Sequence, residues 1–161
     1  MDRNPKTILL IVLFFSLIGL FKAEITLSQC RINITSISFG GYDVLSPRPQ
    51  DTAGTITVDC DEKVPKVTIT LGASATSGTF ISRKLRQSGG NDLLNYNIFT
   101  DAARTTVFGN ESGGTTRIDL QRPPGKPAPW RQNVTVYGRI QPGEDVSAGS
   151  YSDMLTATVE W

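Results

Sequence analysis

Met154-Leu155-Thr156-Ala157-Thr158-Val159-Glu160-Trp161 ends the chain with apolar residues at alternate positions. Leu155, Ala157, Val159 and Trp161 fall on one side, and Thr156, Thr158 and Glu160 on the other. A two-residue period is that of a half-buried β-strand. Just upstream, Val136-Tyr137-Gly138-Arg139-Ile140 runs into a Pro142-Gly143 turn, and Ala148-Gly149-Ser150-Tyr151-Ser152-Asp153 leads back. A strand patterned to its last residue has either a covered edge or an edge that a partner covers. The second case points to a role in assembly.

The same period recurs outward from this stretch. Val134, Val136, Gly138 and Ile140 share one face of a penultimate strand. Leu94, Tyr96 and Ile98 mark another, as do Val67, Ile69 and Leu71, and Ile56, Val58 and Cys60. Ile25 and Leu27 open a further run that Ile32 and Ile34 continue, whereas Ile37 and Phe39 take the opposite phase. That change of phase predicts a kink near Thr35-Ser36. Val107-Phe108 and Ile118–Leu120 are shorter candidates. Residues 122–129 hold four prolines and read as a loop. About seven strands with no helical period between them predict an all-β chain folded as a β-sandwich.

The 161 residues fit one domain, with a net charge of +1 that offers no electrostatic case for nucleic acid. The sequence contains no histidine, so the usual general base near neutral pH and the commonest transition-metal ligand are missing. At the N-terminus Arg3 and Lys6 precede an apolar run from Ile8 to Phe21. About 14 apolar residues suit an export leader and fall short of the roughly 20 that a membrane helix needs. The expected division is a signal peptide over residues 1–23, cut after Ala23, and one domain over residues 24–161. Phe21 is bulky for the third position before such a cut, and an uncleaved anchor is the competing reading. Cys30 and Cys60, an even pair in an exported chain, read as one disulfide.

No constellation of polar residues reads as a catalytic, cofactor or metal site. Asp59-Asp61-Glu62 and Glu144-Asp145 lack the spacing of a calcium loop and read as solvated turns. Arg83-Lys84-Leu85-Arg86 has no interleaved aromatics and reads as a solvated turn or strand end. Asp153 reads as a turn residue that accepts hydrogen bonds. The expectation is a protein that is not an enzyme and takes no small-molecule substrate.

Several segments together resemble the spore coat protein U domain family. Cys30 is followed by Ser38-Phe39-Gly40-x-Tyr42-Asp43, and Cys60 closes Gly54-Thr55-Ile56-Thr57-Val58-Asp59-Cys60. Arg83-x-Leu85, Leu94-x-Tyr96-x-Ile98-Phe99-Thr100-Asp101 and Val107-Phe108-Gly109 follow in order. Val136 to Ile140 and Gly149-x-Tyr151-x-Asp153 complete the match over residues 30–161. The resemblance implies a secreted bacterial structural protein with an immunoglobulin-like sandwich lacking its last strand. Many members look like subunits of archaic chaperone–usher fimbriae. The implied partners are a periplasmic pilus chaperone, an outer-membrane usher and neighbouring pilin subunits that complete the sandwich by donor-strand complementation.

On that footing Leu155, Ala157, Val159 and Trp161 are expected on one wall of an acceptor groove, with Ile25 and Leu27 as donor residues. A cut after Ala23 leaves only six residues before Cys30, so the chain would accept a strand but donate poorly, as a tip or minor subunit. Two alternatives stand beside a fimbrial subunit. One is a spore coat or matrix protein of the same family. The other is a carbohydrate-binding module using Tyr42, Trp130 and the 122–129 loop.

Overall fold

The computed structural model describes residues 29–61, 63–125 and 129–161. Among these described residues, nine strands follow in order: β1 (Cys30–Ile34), β2 (Gln50–Cys60), β3 (Lys66–Leu71), β4 (Arg83–Gln87), β5 (Leu93–Phe99), β6 (Ile118–Gln121), β7 (Trp130–Ile140), β8 (Tyr151–Ser152) and β9 (Ala157–Glu160). They form a six-stranded sheet, ordered β1-β2-β7-β5-β4-β8, and a three-stranded sheet, ordered β6-β3-β9. Every strand pairing is antiparallel. The result is an all-β, immunoglobulin-like sandwich.

The period-2 pattern explains the layers. Ile56 and Val58 of β2, Val67, Ile69 and Leu71 of β3, Tyr96 and Ile98 of β5, and Val136 and Ile140 of β7 point inward and form one core. Neighbouring threonines and charged residues of β2, β3 and β7 lie on the other faces, whereas Asn97 of β5 is itself buried. The backbone of the larger sheet is β2 against β7, in register from Gln50↔Ile140 to Cys60↔Trp130. Trp130 is 1% exposed, and its Nε1 donates to Val64 O at 2.8 Å.

β1 stops at Ile34, next to the predicted kink. Beyond it, Thr35 N donates to Thr55 O at 3.0 Å and Thr55 N to Thr35 Oγ1 at 2.8 Å. Ile37 and Phe39 then lie on the sheet rather than in its ladder. Two glycines make room for them. A Cβ at Gly54 would lie 2.8 Å from Ile37 Cγ1, and one at Gly138 would lie 2.9 Å from Phe39 Cζ. Both distances are too short for any side chain without displacement.

Two sequence expectations need correction. Arg83 to Arg86 is no solvated turn: it begins β4, inside the larger sheet, and Arg83 is 0% exposed. The C-terminal strand is also shorter than the alternation from Met154 to Trp161, with only Ala157–Glu160 in the ladder. β8 pairs with β4 in one sheet, and β9 pairs with β3 in the other, so the chain changes layer between Asp153 and Thr156.

Candidate functional site: an open apolar seam

Among the described residues, the two sheets do not close along one side, between β1 and β9. Both strands are edges of their sheets. Gly72 N donates to Thr156 O at 2.8 Å, which continues the β3–β9 register beyond Leu71↔Ala157. In an antiparallel ladder, residues alternate between bonding their partner strand and facing away from it. Thr156, Thr158 and Glu160 therefore bond β3, while the backbones of Ala157 and Val159 turn to the open side. The same argument applies to β1. Asp61 N donates to Gln29 O and Thr35 N to Thr55 O, so the backbones of Cys30, Ile32 and Ile34 face outward.

Between these edges lies a cleft of two joined compartments. The first, about 500 Å³, has Ile34 to Ile37 on one rim and Met154, Leu155 and Ala157 on the other; Ile56, Leu71, Ile98, Phe108 and Val136 form its floor. The second, about 760 Å³, runs on between Ile37–Val44 and Val146–Asp153. Ile37, Phe39, Leu85 and Asp153 border both. Large apolar residues stand exposed on the rims, with Ile34 at 48% and Met154 at 76%. An apolar trough beside edge-strand backbone has the shape and polarity to take an extended chain.

Asp153 fixes the point where the C-terminal run changes layer. It accepts hydrogen bonds from Tyr96 Oη at 2.7 Å, Thr76 Oγ1 at 3.0 Å and Thr76 N at 3.1 Å. Burial pushes its carboxyl up, but the hydrogen bonds from Tyr96, Ser74 and Thr76 outweigh that and hold it below the usual carboxylate range. Burial, and then the bond to Asp153, raise Tyr96, so its hydroxyl stays a donor.

Arg83 joins the two layers from below. Its Nη1 donates to Asn97 Oδ1 at 2.6 Å, and its Nη2 donates to Gly72 O and Phe108 O, both at 2.9 Å. Asn97 belongs to β5 in the larger sheet, whereas Gly72 follows β3 in the smaller. The guanidinium also lies 5.8 Å from the Phe80 ring centre. Burial lowers its pKa, but a guanidinium keeps its charge in a protein.

The sequence-predicted residues fall as follows. Cys30 and Cys60 form a disulfide across directly opposed positions of β1 and β2, with Cα atoms 4.1 Å apart. Leu155 and Ala157 line the cleft. Val159, opposite Ile69, packs against the core, and Trp161 lies past the end of β9, 56% exposed. Ile25, Leu27 and the leader lie outside the described residues. Tyr42 and Trp130 are structural anchors: Tyr42 Oη donates to Gln141 O at 2.9 Å and accepts from Glu144 N at 3.0 Å. Among the described residues, no three His, Cys, Asp or Glu side chains gather as a metal site.

An open seam of this kind can be compared with known proteins. The profile of the Spore Coat Protein U domain matches residues 18–158. The chain belongs to that family. Among curated proteins it is similar to Protein U of Myxococcus xanthus, 32% identical in an alignment of 135 residues that covers 77% of this chain and 70% of the relative. Among solved structures it is similar to a chain in the chaperone–tip adhesion subunit pre-assembly complex from the archaic chaperone–usher Csu pili of Acinetobacter baumannii. That likeness has a TM-score of 0.62 at 21% identity and covers 84% of this chain. This chain spans 40% of the length of that neighbour. The Spore Coat Protein U domain family is one of structural, non-catalytic proteins, and the shared fold is that of the sandwich described above.

Proposed function

We propose that this Spore Coat Protein U domain chain is an exported subunit of a bacterial surface fimbria, assembled by donor-strand complementation. A periplasmic chaperone would hold it in transit, an outer-membrane usher would pass it to the surface, and neighbouring subunits would complete its sandwich. The observation that carries this reading is the apolar cleft beneath the unpaired edges of β1 and β9. An edge strand of this kind templates aggregation unless something covers it, and the fold offers a trough for the side chains of whatever does. A chain cut after Ala23 would hold a tip or minor position, because Ile25 and Leu27 alone make a short donor.

The test is export with and without a chaperone encoded beside the gene. Alone, the chain should aggregate or be degraded in the periplasm, and the chaperone should recover it as a one-to-one complex. A monomer that folds cooperatively without help would refute the proposal.

The identity with Protein U favours a second reading, a coat or matrix protein of the same family. Expression restricted to sporulating cells, with no chaperone or usher gene nearby, would support that reading and count against the fimbria.

A further inference from the structure

The net charge of +1 conceals an uneven placement of charge. β1, β2 and β7 lie side by side, and their outward residues share the face of the larger sheet that turns away from the core. Arg31, Asp59 and Arg131 stand in one register row on that face, so the aspartate has an arginine on the strand to either side. At the other end of β7, Arg139 lies opposite Asp51 and holds its two carboxylate oxygens with Nε at 2.7 Å and Nη2 at 2.8 Å. Arg104 reaches the same carboxylate from the loop after β5, its Nε 3.3 Å from Asp51 Oδ1. Each end of the face therefore carries two arginines around one aspartate and keeps a positive charge in excess. From Arg131 to Arg139 the ends are about 27 Å apart, at ~3.4 Å per residue.

Arg104 is held firmly in that position. Its φ of 59° is one that residues other than glycine seldom adopt. Asp101 fixes the turn by accepting hydrogen bonds from Thr105 N at 3.1 Å and Thr106 N at 2.7 Å. The guanidinium lies 5.5 Å from the Tyr137 ring centre, and its Nη1 donates to Ala102 O at 2.9 Å. One arginine would neutralise each aspartate, and ion pairs at a surface add little to stability. The second arginine at each end is left to meet an anion from outside. Between the ends, Asn33, Thr57 and Asn133 form one row and Thr55 and Thr135 the next, all of them able to donate and accept hydrogen bonds. The smaller sheet has the opposite balance, with Lys66 and Arg117 among Glu111, Asp119 and Glu160.

Arginine pairs at both ends, with amides and hydroxyls between, fit a linear polymer that bears carboxylates on a hydroxyl-rich chain. A guanidinium fork matches a carboxylate in geometry as well as charge. A membrane surface calls for apolar side chains to insert, and here Asn and Thr hold the middle of the face. A nucleic-acid strand calls for free rings to stack on, and Tyr137 already lies under Arg104. We propose that the outward face of β1, β2 and β7 binds an acidic polysaccharide, with uronate carboxylates at the two arginine pairs and sugar hydroxyls on the Asn and Thr rows. This face lies across the larger sheet from the cleft, whose floor includes Ile56 and Val136. The proposal rests on the fold and stands apart from the strand-accepting reading.

The test is binding of the purified chain to immobilised polygalacturonate, with dextran as the neutral polymer. The chain should bind the polyuronate, less tightly as salt rises, and should pass over dextran. Arg31→Gln and Arg131→Gln, both at exposed positions, should each weaken binding about tenfold and leave Tm unchanged. Arg139→Gln should weaken it as much, and Lys66→Gln on the smaller sheet should have no effect. Failure to bind polygalacturonate, equal binding to dextran, or an equal loss from Lys66→Gln overturns the proposal. Binding to polyglutamate or to anionic phospholipid vesicles as tight as to the polyuronate also overturns it, because the arginines would then serve an acidic protein or a membrane.

Discussion

β2 and β9 are both antiparallel strands with one face in the core, and they differ in what lies beside them. β2 is flanked by β1 over Ile56–Cys60 and by β7 from Gln50 to Cys60. β9 has β3 on one side only, from Ala157 to Glu160. The inward residues of β2 are buried, whereas Ala157 and Val159 of β9 are half-buried. Among the described residues, one side of the sandwich is complete and the other leaves apolar side chains half-buried. Burial of a Val or Leu side chain is worth about 1.5–3 kcal/mol, so covering the half-buried face of β9 would stabilise the fold.

The sharpest way to break the contrast is to cut the tie between layers. Arg83→Ala removes the donors to Asn97 Oδ1, Gly72 O and Phe108 O and leaves a buried void. We expect a loss of about 3–5 kcal/mol in urea denaturation of the purified chain. Arg83→Met, which keeps the stem but not the donors, should lose less. Equal stability of Arg83→Ala and the parent would show that the apolar core alone holds the layers.

Next in size is the disulfide, on the completed side. Replacing both Cys30 and Cys60 by Ser opens a loop of 30 residues and should cost roughly 3–4 kcal/mol. Hydrogen exchange should show β1 losing protection before β7 does. Simultaneous loss would mean that β1 is held by its ladder and not by the bond. Smaller still is Gly138→Val. Its Cβ meets Phe39 and Thr52 at 2.9 and 2.8 Å, and we expect about 1–3 kcal/mol of destabilisation with the Ile34–Val44 rim displaced. An unchanged stability would show that Phe39 and Thr52 can move aside from the added side chain without loss.

Much of the completed side was legible in the sequence, because alternation is a local signal and β2, β3, β5 and β7 obey it. The open side was legible in part. Tyr151, Asp153, Leu155, Ala157 and Val159 are all half-buried and all in phase, so nothing in the period marks where the run leaves one sheet for the other. The marker is the bonding of Asp153 to Thr76 and Tyr96, residues far away in the chain. Arg83 was misread for a related reason. In a basic cluster it looks solvated, and two of its three acceptors are backbone carbonyls, which carry no sequence signature. The disulfide was legible from parity, whereas its place across directly opposed β1 and β2 positions follows from register.

The smallest effect is the most specific to the open side. Hydrogen bonds hold Asp153 below the usual carboxylate range when folded, while an unfolded aspartate titrates near about 3.9. A depressed folded value means that the carboxylate's contribution is complete above the unfolded value and disappears as pH falls through the folded one. Acidification from pH 5 towards pH 2 should therefore loosen the Asp153 crossover, and with it the rim formed by Met154 and Leu155. The β2–β7 ladder has no such dependence on this carboxylate. Tm measured across that window should fall further for the parent chain than for Asp153→Asn, which starts lower because it cannot bring an ionised acceptor to Tyr96 Oη and Thr76. Parallel curves for the two proteins would mean that the crossover is held by its backbone bonds, Gly72 N to Thr156 O and Ala75 N to Met154 O. The acid response would then rest on other carboxylates, such as Asp51 of β2, whose carboxyl the hydrogen bonds from Arg139 of β7 hold below the usual range.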